Sequence, residues 1–150
     1  MPNILDRTTA EKMVQRVQRL TPDTQPLWGS MAVTEMLLHC NKIQEQLLIP
    51  ATSAWKKTSL KQYILRCLVL YIMPNFPKNA RAPKQVQTKG LIDSEAFYDQ
   101  QQRFIENVLH FPAHTSPIEH RHPYFGNLNT RQWGIACWKH NDHHLRQFGV

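Results

Sequence analysis

Hydrophobic residues recur along most of this chain at intervals of three and four, the spacing of one buried helix face. No stretch keeps the strict alternation of a half-buried strand. The first segment covers residues 8–20, with Ala10, Met13, Val14, Val17 and Leu20 on one face. Thr8 and Glu11 stand at capping-box spacing, and Pro22 ends the pattern. A linker of turn formers, 21–29, closes at Trp28-Gly29. The second segment begins near Ser30 and stops before Pro50, with the stripe Ala32, Met36, His39, Ile43 and Leu47. The third starts at Ser59, capped with Gln62, and carries Leu60, Tyr63, Ile64, Cys67, Leu68 and Tyr71 as far as Pro74. A polar connection, 74–91, leads to a fourth segment at 93–110, whose apolar set is Phe97, Phe104, Ile105, Val108 and Leu109. An irregular stretch, 111–129, follows. Asn129, with Gln132 three residues on, then launches the last helix. Amphipathic helices in this number predict an all-α fold, a helix bundle forming one domain over 1–150.

Composition changes this picture little. A chain of 150 residues can bury a core without disulfides or a structural metal. Its hydrophobic fraction of 41% and charged fraction of 19% are those of a soluble protein. No apolar run approaches the ~20 residues that span a bilayer, so no membrane is expected. Residues 1–7 lack a basic start leading into an apolar stretch, so no signal peptide is expected either. Cys40, Cys67 and Cys137 each fall within a helical pattern, which favours reduced thiols and a cytoplasmic location. The net charge of +7 brings nucleic acid to mind, but the cations are scattered. The densest group, Lys78, Arg81, Lys84 and Lys89, suits small anions better than a duplex.

The informative chemistry lies near the end. Trp133, Cys137, His140, His144 and Phe148 follow helical spacing, which puts two imidazoles one turn apart inside an apolar stripe. Histidines on a buried face must be hydrogen-bonded, protonated at a cost, or metallated. His39 alone reads as a core histidine; joined to the pair, it reads as a ligand. Glu35, one turn before His39, is a candidate fourth ligand, general base, orienting carboxylate or plain helix acid. His143 is turned away from His144 and reads as a surface or supporting group, with His140–His143 a lesser alternative pair. Cys137 reads as core. Pro112 argues against a second site at His110 and His114, and His122-Pro123 reads as a turn. Trp28, Trp133 and Trp138 read as packing anchors, Trp133 being the one expected to line a cavity.

Trp28-Gly29-Ser30-Met31 leading into Met36-Leu37-Leu38-His39 and His122-Pro123-Tyr124-Phe125-Gly126-Asn127-Leu128 leading into the His140-to-Gly149 tail resemble the DinB/YfiT-like superfamily. More narrowly, they resemble an uncharacterised branch that ends in H-x-x-H-H-L-x-Q-F-G. The resemblance spans most of the chain. It implies a four-helix bundle holding one divalent metal through three histidines, here His39, His140 and His144, with Gln147 at a commonly following glutamine. It also implies pairing into a homodimer. Zinc, nickel and iron all suit imidazole. Open coordination positions would serve a hydrolase, with Glu35 handling the proton, or a transferase using a low-molecular-weight thiol. In either case the substrate is a small molecule, and the basic connection would favour an anionic one. The rival expectation is a non-catalytic, metal-stabilised bundle that binds a ligand or partner.

Overall fold

The structure is a computed structural model that describes residues 1–51, 56–78 and 86–150. Among these, five α-helices form: α1 (Arg7–Val17), α2 (Val33–Leu48), α3 (Leu60–Cys67), α4 (Phe97–His110) and α5 (Thr130–Gln147). Two of the expected caps are in place. Ser59 and Gln62 exchange hydrogen bonds at the start of α3, and Asn129 and Gln132 do so at the start of α5. The first cap differs from expectation: Asp6, not Thr8, starts α1, its carboxylate accepting the Thr9 backbone N–H at 2.8 Å and hydroxyl at 2.7 Å. A carboxylate also favours the positive end of the helix dipole. α2 starts three residues later than Ser30. Its Ala32 has no side-chain oxygen to cap with, so the Glu35 carboxylate reaches back to the Ala32 N–H at 2.8 Å.

The four long helices close into a ring in which α1 packs on α4, α4 on α2, α2 on α5 and α5 on α1. Phe97, Phe104 and Val108 of α4 are fully buried and fill the centre with Met36, Leu37 and Leu145. Burial on this scale contributes roughly 1.5–3 kcal/mol per large apolar side chain. The N-terminal segment seals one side through the close approach of α5 at Gly134. Asn3 donates to the Arg131 carbonyl and Ile4 to that of Gly134, and a Cβ at Gly134 would stand 2.0 Å from the Asn3 Oδ1. Among the described residues, no helix is long and apolar enough to cross a membrane.

Three features depart from the sequence expectations. A two-residue antiparallel ladder, β1 (Arg121–His122) with β2 (Gly126–Asn127), sits in the stretch read as irregular. Its turn needs Gly126, at φ +72°, and a Cβ there would strike Thr58. Second, α3 runs on into one π-helical turn, Leu68–Ile72, and the buried Lys139 ammonium caps the carbonyl of Val69 within it and that of Met73 just after it. Third, the apolar stripe predicted for α3 faces outward. The inward side instead combines Leu65, Val69 and Leu70 with Gln62 and Arg66, which donate to the Pro123 and Asn127 carbonyls. Those carbonyls would otherwise lack a partner from α3.

Candidate metal centre

α2 and α5 lie side by side, and their seams carry His39 on one and His140 and His144 on the other. The His39 Nε2 and His140 Nε2 stand 3.0 Å apart. Ring centroids are separated by 4.9 Å for His39–His140, 4.9 Å for His39–His144 and 4.7 Å for His140–His144, a nearly equilateral triangle. One nitrogen from each ring lies within 4.8 Å of the others, so the three histidines could hold a metal ion. Ligands at ~2.1 Å from an ion stand roughly 3.0–3.4 Å from their neighbours, and the His39–His140 separation fits that range.

Hydrogen bonds fix which nitrogens face inward. His39 Nδ1 lies 2.6 Å from the Val86 carbonyl oxygen, which can only accept, so Nδ1 carries the proton and a neutral ring leaves Nε2 bare. Gln147 Nε2 donates to the Trp28 carbonyl at 2.9 Å, which turns its Oε1 to accept from His144 Nδ1 at 2.8 Å. His144 Nε2 is therefore bare as well. His140 Nδ1 has no hydrogen-bond partner among the described residues, so no bond behind the ring opposes a change of its tautomer. Two lone pairs repel at 3.0 Å, so the His39–His140 contact needs a proton or a cation between the nitrogens.

Burial keeps the three rings neutral. It pushes His144 down to about 3, with the neighbouring His39 adding to the effect. Burial also lowers His140 well below the ordinary imidazole range, reinforced by His144, His39 and His143. His39 is lowered by burial too, against the opposing pull of its bond to Val86. Neutral imidazoles at physiological pH are the form that binds metal.

These residues fit a divalent transition metal. No thiolate joins them: Cys137 is buried, its thiol pushed up to about 12, and lies outside the group. A donor set of three neutral nitrogens suits zinc, nickel or iron and does not choose between them.

The sequence pattern of a family described as protein of unknown function (DUF1569) matches residues 2–149. The chain belongs to the DUF1569 family. No curated protein and no solved structure matches it.

In this DUF1569 protein, Glu35 is not one of the converging donors. Both of its carboxylate oxygens accept backbone N–H groups, Oε2 from Ala32 and Oε1 from Gly90 at 2.6 Å. The Thr88 hydroxyl donates to the Glu35 carbonyl at 2.7 Å. The end of the long connection, 86–90, is thus anchored on the first turn of α2, and its Val86 carbonyl holds His39. Of the basic cluster in that connection, Lys78 lies over the Trp28 ring at 4.4 Å and Lys89 donates to Ser30. Arg81 and Lys84 lie outside the described residues.

His143 is buried rather than at the surface, packed edge-on against Trp28 and His144. Burial lowers its pKa, with Arg146 adding to the effect. It does not join the donor group, so His144 and not His143 is the partner of His140. His110 and His114 remain outside it as well. His122 shapes the turn before α5: its Nδ1 accepts the Tyr124 and Phe125 N–H groups, and its ring stacks on Phe125 at 4.1 Å. Trp133 serves as an anchor, its indole N–H donating to the His120 carbonyl. Two surface clefts, of about 290 and 280 Å³, lie along α1 and do not touch the histidines. Sequence reasoning missed the roles of Val86 and Trp28, because both act through backbone carbonyls that any residue supplies.

Proposed function

We propose that this protein is a metal-dependent enzyme of the DinB-like type, with His39, His140 and His144 holding one divalent transition metal. The observation that supports this most directly is the pair of bare, inward-facing nitrogens on His39 and His144, each fixed by a hydrogen bond on the opposite side of the ring. Such outer hydrogen bonds orient and strengthen metal ligands. An ion held by three imidazoles keeps open positions, where it would lower the pKa of water or hold a thiol as thiolate.

The reaction class is hydrolysis of a small, anionic substrate or transfer of a low-molecular-weight thiol. Lys78 and Lys89 supply positive charge on the connection that holds His39. Glu35 acts here as a positioning residue, since its carboxylate secures the segment that carries the Val86 carbonyl. The resemblance to the DinB/YfiT-like superfamily supports the same ligand set and a single-domain protein, and the free cysteines Cys40, Cys67 and Cys137 favour a cytoplasmic one.

Elemental analysis of protein purified without a histidine tag tests the metal. About one divalent ion per chain is expected, and the His39→Ala/His144→Ala variant should lose it. Equal metal in both proteins would overturn the proposal. A His140→Ala variant separates catalysis from a purely structural metal. An enzyme keeps its melting temperature when loaded and loses turnover, whereas a metal that only stabilises the bundle shows a large fall in melting temperature.

A further inference from the structure

We infer that Arg66 and Arg121 form a binding site for a phosphate group where α3 meets the β1–β2 hairpin. The site shares no residue with the histidine triad and does not rest on the metal reading.

Two ties bring these guanidiniums to one place. Gln62 and Arg66 stand one turn apart on the inward side of α3. Arg66 Nη1 donates to the Asn127 carbonyl at 2.6 Å, and Asn127 is the cross-strand partner of Arg121. Arg121 Nη2 in turn donates to Gln62 Oε1 at 3.2 Å, while Gln62 Nε2 donates to the Pro123 carbonyl. The Arg66 guanidinium lies 4.7 Å from the centre of the Tyr63 ring, which steadies its plane. The stretch from His122 to Leu128 thereby gains a purpose. Its turn, which needs Gly126, sets Arg121 and the Asn127 carbonyl against α3.

Both arginines are half-buried, yet their protein acceptors are neutral oxygens. Among the described residues, neither forms an ion pair. The Nε–H of each is buried with no acceptor among those residues. Arg66 Nη2 makes no protein hydrogen bond there either, so the Nε–Nη2 edge, the one suited to a two-point contact with an oxyanion, is unspent. Buried donors nearly always have acceptors, so two orphans on neighbouring guanidiniums point to an anion supplied from outside the chain.

The surrounding charge favours a dianion. No Asp or Glu occurs between Glu45 and Asp93, and Glu119 is exposed and makes no ion pair with Arg121. Asn127 holds the 56–58 segment beside the hairpin, through the Lys56 carbonyl and the Thr58 hydroxyl. Lys56, Lys57 and Lys61 are exposed around the site. A carboxylate would offset one of these charges, whereas a phosphate monoester carries nearly two and has three oxygens for two arginine edges.

Arginine side-chain ¹⁵N–¹H spectra, recorded while inorganic phosphate is added at constant ionic strength, test this. The Nε–H signals of Arg66 and Arg121 should shift together and saturate, in the wild-type chain and in His39→Ala/His144→Ala alike. The second protein separates this site from phosphate held by a metal, so the two readings fail independently. Arg121→Gln should weaken binding by about 10-fold or more, read at the Arg66 signal. Arg66→Lys keeps the charge but not the fork, and should weaken binding read at Arg121. Lys61→Gln should leave the affinity within about twofold. The wild-type titration needs no variant to fold. No saturable shift, an equal shift with chloride or acetate, or a loss in Lys61→Gln as large as in Arg121→Gln would overturn the inference. Vesicles containing phosphatidic acid identify the source of the phosphate. Co-sedimentation lost in Arg121→Gln would assign it to a lipid headgroup beside the exposed Leu60 and Ile64. Saturable phosphate binding without co-sedimentation would assign it to a small phosphate ester.

Discussion

His39 and His140 are 101 residues apart in the chain, yet their Nε2 atoms stand 3.0 Å from each other. The carbonyl behind His39 dictates its tautomer, so the proton in this contact must come from His140 or be replaced by a cation. Long-range ¹⁵N–¹H correlation spectra should show His39 and His144 protonated at Nδ1 in both metal-free and loaded protein. His140 should move from Nε2–H to Nδ1–H on adding zinc. A His140 tautomer that ignores zinc would count against coordination through Nε2.

Gln147 links His144 to the Trp28 carbonyl and is itself buried. In Gln147→Leu, His144 loses its orienting acceptor and the Trp28 carbonyl its donor. Metal affinity is expected to fall by about 10–100-fold, as for other outer partners of metal-bound histidines. Stability of the metal-free protein should fall by about 1–3 kcal/mol, the cost of the buried groups left unpaired. Competition with a chelator measures the first effect and urea unfolding the second.

Buried neutral histidines make the metal-free fold sensitive to acid. His39, His140 and His144 are all lowered, His144 to about 3, while the unfolded chain takes up protons near the ordinary value of 6.5. The unfolded state thus binds more protons between these limits. Stability is fully present above the unfolded value and is lost as pH falls toward the folded one. Each such histidine contributes a slope of up to about 1.4 kcal/mol per pH unit. Urea midpoints should drop between roughly pH 6 and pH 4, and the His39→Ala/His144→Ala variant should show a shallower fall.

Glu35→Ala removes the acceptor for both the Ala32 and Gly90 N–H groups. The segment 86–90 should then detach more often, and trypsin should cleave at the exposed Lys89 faster than in wild type. The helices should stay intact by circular dichroism. Cleavage at an unchanged rate would show that Glu35 does not secure this segment, and a proton-transfer role would regain ground.

Local periodicity made much of this protein legible. Helix starts at Ser59 and Asn129 followed from cap spacing, because a cap and its N3 partner lie within one turn. His140 and His144 share a face for the same reason. The spacing of Thr8 and Glu11 points to a cap at Thr8, yet Asp6 caps α1, because both residue types suit a cap and only the path of the preceding chain decides between them. The stripe of α3 faces outward, and His143 takes the supporting rather than the surface place, because helical spacing gives relative directions, not which one points inward.

The sequence by itself determined the all-α class, most helix boundaries to within a few residues, and that His140 and His144 share one helix face, since each depends on interactions within one or two turns. That His144 and not His143 joins His140 was decided by the tertiary structure. Only the tertiary structure decided how His39 approaches that pair, which ring nitrogens are bare, and that Glu35 is engaged by backbone N–H groups. Those outcomes depend on Val86, Trp28 and Gly90, whose contribution is a carbonyl or an N–H common to almost every residue. Backbone groups leave no signature in side-chain identity, so their partners become known only when distant segments of chain are brought together.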